Sequence, residues 1–128
     1  MVRLNLGCGE RLIKGWINID IEPIKGAVQW DIRKGIPYKN VEFINMSHVL
    51  EHLNLYEAIK VLKACYEALK PGGKIRITCP DTRKLIDAML KNELDKYNPY
   101  PPELAKRLKS PMLKFSLLAL GNMSKDCT

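Results

Sequence analysis

His48, Glu51 and His52, in the stretch SHVLEHL, stand at the spacing H-x-x-E-H, the inverted zinc-protease signature. A zinc hydrolase would need these residues on one long helix, a third ligand elsewhere and a position for water. Both histidines of the chain are already in this stretch, so only a carboxylate or a cysteine could complete the set. Asn54 also reads as the start of a new helix almost at once, and no metal is expected here. A second constellation lies earlier. Gly7, Cys8 and Gly9 follow the β-rich segment VRLNL, Asp20 ends WINID, and Asp31 follows AVQW. A glycine turn at the carboxyl end of a strand lets a ligand approach the backbone, because glycine has no Cβ and tolerates positive φ. An acid at the end of the next strand can accept hydrogen bonds from the two hydroxyls of a ribose. Glycines, an acid and a further acid on one rim describe a nucleoside site.

The phosphate-binding fingerprints are missing. The third glycine of G-x-G-x-x-G is replaced by Leu12, and there is no G-K-[ST]. No helix long enough to seat a pyrophosphate can follow Gly9, because strand two begins about half a dozen residues later, room for a single turn of helix at most. The site therefore suits a nucleoside without phosphates.

The elements that must position these residues alternate between strands and helices. Strands are expected over residues 2 to 6, 16 to 21, 27 to 32, 41 to 46 and 74 to 79, the last entered through Lys70-Pro71-Gly72-Gly73. Between strands four and five, Leu55, Ile59, Leu62, Tyr66 and Leu69 recur at helical spacing, with Asn54 and Glu57 as an N-cap pair and Pro71 as a stop. A strand, a crossover helix and a strand make a parallel unit. Strands one and two are joined by too short a segment for more than a turn of helix, so that side of the sheet should be thinly covered. After Asp81, Leu85, Ile86, Met89, Leu90 and Leu94 suggest another helix, and residues 103 to 109 and 112 to 120 suggest two short ones around prolines.

Bulk properties narrow the class further. The 128 residues fit one domain, with residues 1 to 81 as the sheet core and 82 to 128 as a helical tail. Met112 to Gly121 is half the ~20 residues a membrane span needs. The start MVRLNLGCG does not read as a signal peptide, so the cytoplasm is the expected compartment. Cys8, Cys65, Cys79 and Cys127 are scattered and suit reduced thiols. A net charge of +7 permits an anionic partner. The densest basic cluster, Lys106, Arg107 and Lys109, has no interleaved aromatic, so nucleic acid is not indicated.

The ordered segments LNLGCGERLIKGWINIDI, AVQWDI, FINMSHVLEHL and ALKPGGKIRITCPD resemble a class I S-adenosylmethionine-dependent methyltransferase, and most of all the small type 11-like group, over residues 2 to 81. The resemblance implies a Rossmann-like α/β fold with a mostly parallel sheet and S-adenosyl-L-methionine as cofactor. It places Leu6, Gly7, Cys8 and Gly9 under the methionine part. Asp20 would hold the ribose hydroxyls with Ile21 beside it, and Asp31 and Ile32 would flank the adenine. Met46, Ser47 and His48 would line the cofactor opposite the glycine loop. Each also has a plainer reading: the glycines as a turn, Asp20 and Asp31 as loop caps, Met46 and Ile32 as core.

Methyl transfer needs a base only when the acceptor carries a proton that must leave. His48 is the first candidate, with His52 and Asp81 behind it. The resemblance also implies two more strands after strand five, for which residues 82 to 128 show no pattern, so a truncated sheet of about five strands is expected. A homo-oligomer or partner chain would then cover the strand-five edge. The acceptor is unidentified, an anionic one fitting the charge. The alternative reading is a catalytically incomplete cofactor-binding or regulatory module that needs a partner chain.

Overall fold

The structure, a computed structural model, describes residues 1–97 and Ser110. Five strands, β1 (Val2–Leu6), β2 (Ile17–Asp20), β3 (Val28–Gln29), β4 (Val41–Ser47) and β5 (Leu69–Thr78), form one sheet in the order β3-β2-β1-β4-β5. Every pairing is parallel. The chain winds outward from β1 through β2 to β3 and then returns to the other side of β1 for β4. The topological switch point, where open α/β sheets bind ligands, therefore lies between β1 and β4.

Alternation along the strands decides what each face of the sheet can be. In register, Leu4 meets Ile17 and Ile44, Leu6 meets Ile19 and Met46, and Ile44 and Met46 meet Ile75 and Ile77. These residues form one apolar face, and Leu4, Leu6, Ile19, Ile44 and Met46 are fully buried in the main core. On the opposite face the same rows carry Asn18, Asn5, Asn45 and Arg76. Their side chains are hydrogen-bonded in series across four strands. Asn5 donates to Asn18 at 2.9 Å, Asn45 donates to Asn5 at 2.9 Å, and Arg76 donates to Asn45 at 3.1 Å. A parallel sheet covered by helices on both faces reads as continuous apolar runs; here the rows alternate, one face apolar and the other polar.

The short connection from β1 to β2 completes the polar face, as its length led us to expect. Asn5 donates to Arg11 O, Asn18 donates to Ile13 O and Trp16 O, and Ile13 N donates back to Asn18. Asn5 and Asn18 are thereby buried and satisfied. Trp16 also packs edge-on to Phe43, with ring centroids 5.4 Å apart.

The helix α1 (Leu55–Ala68) covers the apolar face. It begins with a full capping box: Asn54 accepts from Glu57 N at 2.9 Å while Glu57 accepts from Asn54 N at 3.2 Å. Its buried residues are Val61, Cys65 and Ala68, whereas Leu55, Ile59, Leu62 and Tyr66 are exposed, Leu55 at 78% and Tyr66 at 80%. The expected stripe was thus displaced by one residue, about 100° around the helix. Small side chains let the helix axis lie close to the sheet, and the bulkier neighbours are left outside.

Several boundaries also differ. β3 is only two residues long because Trp30 N bonds Asp20 O and the chain then enters a 3-10 turn, Ile32–Lys34, capped by Asp31. β5 starts at Leu69, directly after α1. Leu69 pairs with Val41 and Lys74 with Phe43, so Lys70 to Gly73 bulge out between them. β5 is the outer strand among the described residues, and Ile75 and Ile77 are each 37% exposed.

Two compact units divide the chain, Met1–Cys79 and Pro80–Thr128. In the second, α2 (Thr82–Leu90) is N-capped by Asp81, which accepts from Lys84 N at 3.2 Å. Leu85 and Ala88 pack with Leu94 of the 3-10 turn Leu94–Tyr97, while Ile86 and Leu90, expected in the same stripe, are exposed. The segments 103 to 109 and 112 to 120 lie outside the described residues. No described helix is long and apolar enough to cross a membrane.

Candidate cofactor and methyl-transfer site

The carboxyl ends of β1, β2 and β4 bring the expected residues together. Directly after β1, Gly7 and Gly9 adopt positive φ, +62° and +49°, a region costly for side chains with a Cβ. A Cβ on Gly7 would overlap the Val49 side chain. The glycine loop is therefore pressed against the segment that follows β4, at the switch point of the sheet.

Asp20, at the end of β2, fastens this loop. Its Oδ2 accepts from Gly9 N at 2.7 Å and its Oδ1 from Glu22 N at 2.9 Å. Cys8 N donates to Ile19 O at 3.1 Å beside it. Asp20 does cap a loop, but each carboxylate oxygen has a further lone pair for an incoming hydroxyl. Burial, and then the nearby Asp20 charge, push the Cys8 thiol above its ordinary pKa, so it stands as a protonated, buried side chain.

Asp31 has a different occupation. It accepts from Arg33 N at 3.0 Å and forms a bidentate pair with the Arg33 guanidinium. That hydrogen bond and charge hold its carboxyl below the ordinary range. Arg33 also reaches Glu57 of α1 at 3.5 Å. Ile21 is exposed beside Asp20, whereas Ile32 packs partly against the core. Leu6 and Met46 are fully buried. Their side chains are packing, and only their backbone faces the rim.

On the β4 side, Ser47 Oγ accepts from Thr78 Oγ1 at 2.6 Å and His48 N donates to Thr78 O at 2.9 Å, tying the end of β4 to the end of β5. His48 then takes positive φ, +56°. The chain turns there before the 3-10 turn Leu50–His52. His48 and His52 consequently do not share one helical face, which corrects the geometry expected from their spacing. His48 Nδ1 lies 3.2 Å from Glu51 Oε1. His52 is exposed, and Asp81 serves as the cap of α2 in the other unit. Among the described residues no group of three histidine, cysteine, aspartate or glutamate side chains comes together.

Sequence reasoning missed Glu51. It was read only as a letter of the metal signature, yet it is the buried partner of His48. The i, i+3 spacing was visible, but its burial depends on how β4 ends.

No protein-family model matches the chain, and no curated protein matches it in sequence. Solved structures do. A SAM dependent methyltransferase from Archaeoglobus fulgidus superposes with a TM-score of 0.55 at 26% identity, over 83% of this chain and 57% of that one. The DhpI–SAH complex gives a TM-score of 0.53 at 17% identity, over 63% of this chain and 50% of that one. The DhpI–SAM–HEP complex gives 0.50 at 14%, over 77% and 53%. The fold is that of class I S-adenosylmethionine-dependent methyltransferases. Within that class the comparisons do not single out the small type 11-like group. The chain spans roughly half the length of the solved chains it matches.

Proposed function

We propose that this chain is an S-adenosylmethionine-dependent methyltransferase acting on an acceptor that carries an ionisable proton. The observation that carries the reading is the latch between Gly9 N and Asp20 Oδ2 at 2.7 Å. It joins a positive-φ glycine loop to an acid with spare lone pairs, beside the switch point between β1 and β4. Two of the similar solved structures are complexes with SAH and SAM, and the Archaeoglobus protein is described as a SAM dependent methyltransferase.

The residues fit that cofactor. In the loop Leu6 to Gly9, Gly7 closes against Val49 while the space beside Gly9 is open for the methionine part. Asp20 and Ile21 would receive the ribose. Ile32, with Asp31 held by Arg33, would border the adenine, and the backbone of Met46 with Ser47 and His48 would form the opposite wall. When bound, S-adenosylmethionine supplies a methyl group already activated by a sulfonium, so positioning supplies much of the rate. The protein's remaining task is the proton. His48, exposed at the end of β4, is the group of this wall that would accept it.

Incubation with methyl-labelled S-adenosylmethionine and charge-fractionated small molecules, lipids and proteins tests transfer itself. Label should appear in one class of acceptor, an anionic one fitting the net charge of +7, with S-adenosylhomocysteine formed in equal amount. Cofactor binding without label transfer to any fraction would favour the incomplete module instead.

A further inference from the structure

Glu51 is the least comfortable polar group of the first unit. Its side chain is only 8% exposed, and its Oε2 is fully buried with no hydrogen-bond partner. A buried acceptor left without a hydrogen bond is costly, more so when charged. Its other oxygen has one side-chain partner, His48 Nδ1 at 3.2 Å, and that imidazole is 54% exposed. His48 itself sits at φ +56°, a left-handed conformation strained for a residue with a Cβ. Two local costs meet in one pair at the rim of the candidate site. Strained and under-satisfied groups that persist together mark function more often than packing.

We propose that Glu51 is the positioning residue for His48. This rests on the methyltransferase reading for its chemistry, but the geometry is a property of the chain alone. A carboxylate can only accept, so the 3.2 Å contact requires the hydrogen on Nδ1 and leaves Nε2 with its lone pair bare. The exposed nitrogen is then the basic one. As the acceptor gains the methyl carbon, its proton passes to Nε2 and the electron pair of the donor's sulfur–carbon bond stays on sulfur. The resulting imidazolium faces the Glu51 carboxylate, which is buried and so little screened by water. The αL turn at His48, anchored by His48 N to Thr78 O at 2.9 Å, fixes the backbone from which the ring is presented. Such a pair assigns the tautomer and orients the ring without Glu51 touching the acceptor.

The tautomer can be read directly. In a long-range 1H–15N spectrum of the full chain, with the two histidines assigned by single substitution, neutral His48 should show a protonated Nδ1 and a bare Nε2. Glu51→Met, which keeps the length but removes the acceptor, should move His48 toward the Nε2–H form and leave His52 unchanged. Calorimetry on the same variant should show S-adenosylmethionine affinity within twofold of the parent. A protonated Nε2 on His48 in the unaltered protein, or a spectrum indifferent to Glu51→Met, would overturn the assignment while leaving the methyltransferase reading intact. Unaltered protein that shows the expected tautomer but binds no S-adenosylmethionine would instead remove the reading that gives the pair its chemistry.

Discussion

Cys65 shows how much a single side chain's surroundings matter. It is fully buried on the sheet-facing side of α1, and desolvation pushes its thiol from 9.0 to about 11. A raised folded-state pKa on an acid means the native state keeps its proton where the unfolded chain has lost it. Stability is therefore full below pH 9 and falls as pH rises toward 11, by about 2–3 kcal/mol from this group. Urea titrations across that range should show the slope, and Cys65→Val should flatten it; an unchanged slope would assign the alkaline loss elsewhere. At this scale the sequence was legible for Gly7, Gly9 and Asp20, because backbone conformation and a β-strand terminus restrict the residue types that fit. It was less legible for Asp31 and Met46. Whether an aspartate faces a ligand or an arginine two residues on, and whether a methionine at a strand end turns inward, are settled by packing, as the Arg33 pair and the full burial of Met46 show.

Elements were legible by period more than by phase. The helix α1 was expected from its apolar spacing and its cap, and both are present. The face it buries was not, because the largest apolar residues were taken as the core, while close approach to the sheet selects Val61, Cys65 and Ala68. Val61→Ala should accordingly cost about 2 kcal/mol, and Ile59→Ser on the exposed side less than about 0.5 kcal/mol; equal losses by chemical denaturation would restore the other phase. The strands carried their answer openly. Asparagines at matching positions of VRLNL, INID and VEFINMS become the hydrogen-bonded ladder Asn18, Asn5, Asn45 on the polar face. Asn5→Ala strands its partners on Asn18, Asn45 and Arg11 together, so we expect about 1–3 kcal/mol of lost stability. A neutral result would mean the ladder contributes nothing beyond the alternation that produces it.

For the whole molecule, the order of the motifs carried more than any one of them. A glycine turn, an acid and a strand–helix–strand crossover imply a mostly parallel sheet of about five strands; such a sheet is present, and the structure adds its order, β3-β2-β1-β4-β5. SHVLEHL, met first as a metal signature, lies against the glycine loop, with Val49 pressed against Gly7. Beyond β5, the helix expected after Asp81 is present as α2, and the segments 103 to 109 and 112 to 120 lie outside the described residues. The chain spans about half of the similar solved structures, 50% to 57% of their length, and the residues proposed to hold S-adenosylmethionine all lie within Met1–Cys79. Isothermal calorimetry of the full chain with S-adenosylmethionine and S-adenosylhomocysteine addresses it most directly. Both should bind, and Asp20→Ala should weaken each at least tenfold, about 1.4 kcal/mol, by removing the ribose acceptor and the Gly9 latch together. No binding of either ligand at millimolar concentration, or affinity indifferent to Asp20→Ala, would contradict the account.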